Sequence, residues 1–139
     1  MFELDLEGAD VTRAEMVADL RGVGSVDEDI IRALSQPGVP DWFLANPIEA
    51  VSGLDDLRGP EGLVDVPVKW RDGLPAQVSG DDVALLTLLY QRVLTSGTSA
   101  EQSALIHQER LRSVWPSLAQ ALHPVVASVW ERRFPQLIG

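Results

Sequence analysis

The sequence predicts an α+β fold, a mostly helical body with a small antiparallel sheet and a buried central helix near residues 81–95. Three observations lead there. Stretches near 2–7, 63–70 and 74–79 alternate apolar and polar residues with the period of a half-buried strand. Residues 81–95 are apolar nearly all round, the pattern of a helix packed against several neighbours. Capping residues, glycines and prolines cut the remainder into short helices and turns. No repeat, low-complexity run or long linker divides the 139 residues, so one domain over 1–139 is expected.

Each element has a local reason. Phe2, Leu4 and Leu6 alternate with Glu3, Asp5 and Glu7, which gives a strand with an entirely acidic wet face. Such a face either protects a sheet edge from pairing with another copy or presents a stripe to a partner. Thr12 with Glu15, and Ser25 with Glu28, match capping boxes and predict helices over about 13–21 and 26–35. Asp27, Glu28 and Asp29 are consecutive and point about 100° apart on a helix, so they suit the helix dipole better than a metal ion. Asn46 and Pro47 read as the N-cap and first residue of a short helix through Val51. Just before it, Trp42, Phe43 and Leu44 cannot all face one core, which marks Trp42 and Phe43 as a candidate exposed contact.

Val64, Val66, Val68 and Trp70 then alternate, with Pro67 confining that strand to an edge; Arg71, Asp72 and Gly73 form a three-residue loop to a partner strand at Leu74, Ala76 and Val78. With residues 2–7 these make a three-stranded sheet. Ser79 and Asp82 cap the central helix, which stops before Gly97. A further helix with Glu101 in its first turn is expected to run to about Trp115, with Ala100, Ala104, His107, Leu111, Val114 and Leu118 along one stripe. Pro116 and Pro124 are expected to interrupt or kink the helical segment between Trp115 and Phe134.

Composition excludes several functions. The chain has no cysteine, which removes disulfides and zinc–thiolate sites. Twenty-one acids against 11 bases leave a net charge of −10. Residues 1–82 hold 18 acids and 6 bases, whereas 83–139 hold 3 and 5. A phosphate backbone needs a basic surface, so no nucleic-acid partner is expected, despite Arg110, Arg112, Arg132 and Arg133 on the C-terminal helices. No secretory signal and no 20-residue apolar span appears, which predicts a cytoplasmic protein without a membrane partner. Ten of the eleven basic residues are Arg, a bias of GC-rich bacterial genomes.

No catalytic constellation is visible. There is no GxSxG, no HExxH, no calcium loop and no phosphate loop, since Gly22, Val23 and Gly24 lead into an acidic helix. Asp55 with Asp56, and Asp81 with Asp82, read as turn and cap residues. His107 reads as a satisfied core or interface histidine and His123 as cap-like before Pro124. No cofactor is expected. The leading expectation is a non-catalytic acidic protein-interaction module of the inhibitor, immunity/antitoxin-like or chaperone-like kind. Glu3, Asp5, Glu7, Trp42 and Phe43 would meet a protein partner, a basic one on charge grounds. The alternative is a small enzyme or ligand-binding domain built from dispersed carboxylates and His107; a third is a homo-oligomer formed through the C-terminal helices.

Overall fold

The computed structural model describes residues 15–19, 21–22, 24, 26–36, 38–40, 42–45 and 47–138. The expected strand at 2–7 and the cap residues Thr12, Ser25 and Asn46 lie outside them. The architecture is mostly helical with a small two-stranded antiparallel sheet. The chain falls into two compact units, Met1–Pro47 and Ile48–Gly139, although the sequence contains no long linker between them.

In the first unit, residues 15–19 and 21–22 are helical, followed by α1 (Glu28–Leu34) and the single turn α2 (Trp42–Ala45). Helix α1 begins after Asp27, two residues later than the Ser25 capping box implied, and buries Ile30, Ile31, Ala33 and Leu34. Arg21 holds the Glu28 carboxylate from Nε at 3.3 Å and Nη2 at 3.2 Å, so one acid of the 27–29 run is spent on an ion pair. Residues 47–51 are not helical, contrary to the Asn46–Pro47 reading; the helical turn lies just before them, at α2.

In the second unit, strands β1 (Leu63–Asp65) and β2 (Gln77–Ser79) pair with Val64 opposite Val78. Both strands are shorter than expected. The ladder gains one more bond, from the Val66 N–H to the Ala76 carbonyl at 2.8 Å, and then meets Pro67, which has no N–H to continue it. The chain turns instead into a 3₁₀ turn over Val68–Trp70, and Arg71 closes it by donating from Nε to the Val66 carbonyl at 2.7 Å. The expected three-residue hairpin loop is therefore part of a longer excursion.

Helix α3 (Val83–Ser96) is the central one. Its N-cap is Asp82, whose Oδ1 accepts from the Leu85 N–H at 3.2 Å, while Ser79 Oγ accepts from Asp81 one turn earlier. It buries Leu86, Leu89, Tyr90, Val93 and Leu94 at i, i+3, i+4, i+7 and i+8. The rest of its apolar residues are not all enclosed, since Val83 is 52% exposed. The 3₁₀ turn, β2 and the following helices pack against it.

The next helices break where the sequence did not suggest. Helix α4 (Ser99–Leu105) opens with a capping box between Thr98 and Glu101, and α5 runs over Gln108–Ala121 straight through Pro116. The single helix expected to reach Trp115 is thus split at Ile106, and Ala100 and Ala104, placed on its core stripe, are exposed. Ile106 is extended and fully buried, and its carbonyl accepts the Gly59 N–H at 2.9 Å. Pro116 lies on the exposed side of α5, as does Arg112, whose carbonyl it leaves without its helical donor. Leu111, Val114, Trp115 and Leu118 keep the opposite face buried. Helix α6 (Pro124–Arg133) starts on Pro124 in its first turn and buries Val125, Val126, Ala127, Val129 and Trp130, so the apolar faces of the C-terminal helices are covered within the single chain.

Residues 49–59 have only one 3₁₀ turn, Leu54–Asp56, yet their backbone is paired. Gln102 is fully buried: its Oε1 accepts from Val51 at 3.2 Å and its Nε2 donates to the Glu49 carbonyl at 2.7 Å. Arg58 N–H donates to the Ser103 carbonyl at 2.8 Å. Replacing Gln102 by Leu keeps the volume and orphans both backbone groups. Gln102→Leu is expected to lower stability by about 1–3 kcal/mol in urea unfolding, and an unchanged midpoint would contradict this role.

Candidate functional site

Three regions hold the residues on which chemistry or binding could rest, and the structure treats them differently. The first is around His107. As the residue before α5, it has an extended backbone, so its side chain folds back over the helix start and Nδ1 accepts the Arg110 N–H at 3.3 Å. Its own N–H donates to the Tyr90 hydroxyl at 3.1 Å, and Nε2 lies 3.5 Å from a Glu61 carboxylate oxygen. Burial pushes the Tyr90 phenol above its ordinary range; the bond from His107 and the nearby Arg110 charge pull in the other direction.

Arg110 completes this cluster. It donates from Nε to the Glu61 carbonyl at 3.2 Å and pairs through Nη2 with Asp81 at 3.2 Å, which ties the start of α5 to both ends of the hairpin. Gly80 lies so close to the Glu61 carbonyl that a Cβ would stand 2.0 Å from it. The cluster therefore binds backbone through His107 Nδ1 and Arg110 Nε, and its two acids, Glu61 and Asp81, are 67% and 87% exposed at the side chain. Its histidine uses Nδ1 as an acceptor, and the Glu61 carboxylate stands 3.5 Å from Nε2.

His123 repeats the arrangement. Its Nδ1 accepts the Val125 N–H at 3.1 Å at the start of α6. Both histidines of the chain are thus helix N-caps, one as its sequence position before Pro124 suggested and one where a core position was expected. The signal for His107 was weak, because histidine is not among the favoured caps and the helix break before it is set by distant contacts.

The second region is an open groove of about 500 Å³ lined by Lys69, Trp70, Gln91, Arg92 and Thr95. Its cations are engaged: Arg92 donates to the Trp70 carbonyl at 2.8 Å, and Lys69 sits 4.7 Å from the Trp70 ring centroid while pairing with Glu101. That bond from Lys69 holds the Glu101 carboxyl below its ordinary value of 4.5. Three more of the acids and bases singled out in the sequence have local partners. Asp56 accepts from Gly53 at 3.1 Å, Arg112 faces Glu109 at 3.7 Å, and Arg133 donates to the Ala50 carbonyl at 3.0 Å. Among the described residues no three His, Asp or Glu side chains gather to hold a metal ion, and no helix is long and apolar enough to cross a membrane.

The third region is Trp42 with Phe43. The single turn of α2 points the adjacent rings apart: Trp42 is 49% exposed and Phe43 only 4%. Their centroids lie 5.0 Å apart at an interplanar angle of 77°, an edge-to-face contact. Phe43 thus anchors the turn and Trp42 offers surface. Glu3, Asp5 and Glu7 lie outside the described residues, so their relation to Trp42 is a matter of sequence alone. The first unit carries ten acids and three bases, the second eleven and eight, which concentrates the acidity in the shorter unit.

If His107 serves as a cap, His107→Ala should cost about 1 kcal/mol in thermal or urea unfolding and His107→Asn should restore most of it. Equal losses in both variants would assign the imidazole another role. Against known proteins, no family model matches the chain, and neither the curated proteins nor the solved structures include one that matches it.

Proposed function

We propose that the chain is a non-catalytic protein-interaction module of the inhibitor, immunity/antitoxin-like or chaperone-like kind, whose acidic first unit takes a basic protein partner. The observation that carries this reading is Trp42, a half-exposed indole in a unit of net charge −7. Exposed aromatics anchor interfaces because they bury much area at little entropic cost, and a surrounding field of one sign steers partners of the other. Glu3, Asp5 and Glu7 would add to that field. The use made of the polar side chains supports the same reading: both histidines cap helices, Arg110 joins backbone segments, and the buried amide of Gln102 serves the loop at 49–51. A cytoplasmic location fits the reading.

The immobilised full chain should recover one basic protein in stoichiometric yield, and the association rate with that protein should fall steeply from low to physiological salt. Recovery of no stoichiometric partner, or an association rate indifferent to ionic strength, would contradict the proposal.

A further inference from the structure

We propose that His107 is a proton-operated latch: neutral, it caps the start of α5, and on taking a proton from solvent at Nδ1 it releases the Arg110 N–H and is held by Glu61 instead.

The imidazole lies between two partners that favour opposite states of it. Nδ1 accepts the Arg110 N–H at 3.3 Å, and Nε2 stands 3.5 Å from a Glu61 carboxylate oxygen. A neutral imidazole has one acceptor and one donor and can serve both, whereas an imidazolium has two donors and no acceptor. A proton on Nδ1 therefore sets one N–H against another and opens the cap, while the full charge strengthens the bond from Nε2–H to Glu61. The positive start of α5 opposes the imidazolium and the Glu61 carboxylate supports it, so the charged ring is pushed from one partner toward the other.

The neighbours suit such a change. The His107 side chain is 21% exposed, enough for exchange with solvent. From α3 the Tyr90 hydroxyl accepts the His107 N–H, and burial raises that phenol above its ordinary range, so it keeps its proton in neutral and acid solution. Arg58 lies opposite His107 in a backbone bridge, and its guanidinium, like that of Arg110, stays charged over the same range. Arg110 also donates to the Glu61 carbonyl and pairs with Asp81, which keeps the Glu61 segment beside α5 when the cap opens.

The test is NMR of the full chain between about pH 8 and 5, since ordinary imidazoles titrate near ~6.5 and ordinary carboxylic acids near ~4. Ring shifts follow the protonation of His107, and hydrogen exchange, corrected for its intrinsic pH dependence, follows the Arg110 N–H. Protection of that N–H should fall roughly fivefold, the worth of one cap, in step with the ring. In His107→Asn, whose side-chain oxygen accepts at any pH, protection should stay level across the range. In Glu61→Gln the ring should need more acid to take its proton. Arg110 protection that stays constant while His107 titrates, or that falls equally in His107→Asn, would overturn the latch, as would a ring that remains neutral until the chain unfolds. A Glu61→Gln ring that titrates as in wild type would overturn the transfer to Glu61.

Discussion

Every helix leaves its first N–H groups without a partner, and a chain cut into many short helices has many such starts to satisfy. This constraint shapes the second unit. Asp82, Thr98, His107 and His123 each turn a side-chain acceptor onto the start of the next helix. Where the chain has little regular structure, between residues 49 and 59, the same need is met by Gln102, Ser103 and Ile106 from the α4 region. These bonds allow a loop to lie against a helical core, since a buried backbone group without a partner is costly.

The placement of the polar side chains bears directly on function. His107 and His123 face backbone N–H groups, and Arg110 bridges the hairpin and α5. The grooves on the surface are open, and the cations that line the one at Trp70 are already engaged with a carbonyl and a carboxylate. Among the described residues, acids and bases alike face outward, and Trp42 is the half-exposed indole. In the proposed interaction, long-range attraction would bring the partner in and the aromatic would contribute short-range contact.

The sequence made the fold class readable, and its errors arose where distant contacts overrode local signals. The strand pattern at 63–70 was real as far as Val66, but Pro67 ended the ladder and let Val68–Trp70 coil into a 3₁₀ turn. Proline was a misleading signal at Pro116, which lies on the exposed side of α5. The true break, at Ile106 and His107, carries no proline or glycine; it is imposed by Gly59 and Arg58, far away in sequence, pairing with that segment. The Thr98–Glu101 capping box was legible in the letters and marks the start of α4. For the candidate site, the adjacency of Trp42 and Phe43 left open whether one ring is exposed or both are buried across a bend; in the turn of α2, Phe43 is buried and Trp42 half-exposed.

The claim that the chain's imidazoles serve the backbone can be tested at single atoms. Isotope-edited NMR of the imidazole nitrogens at neutral pH should find Nδ1 unprotonated and hydrogen-bonded, with the proton on Nε2, in both His107 and His123. A proton on Nδ1 of His107 would contradict the cap there and reopen the imidazole as a group available for chemistry.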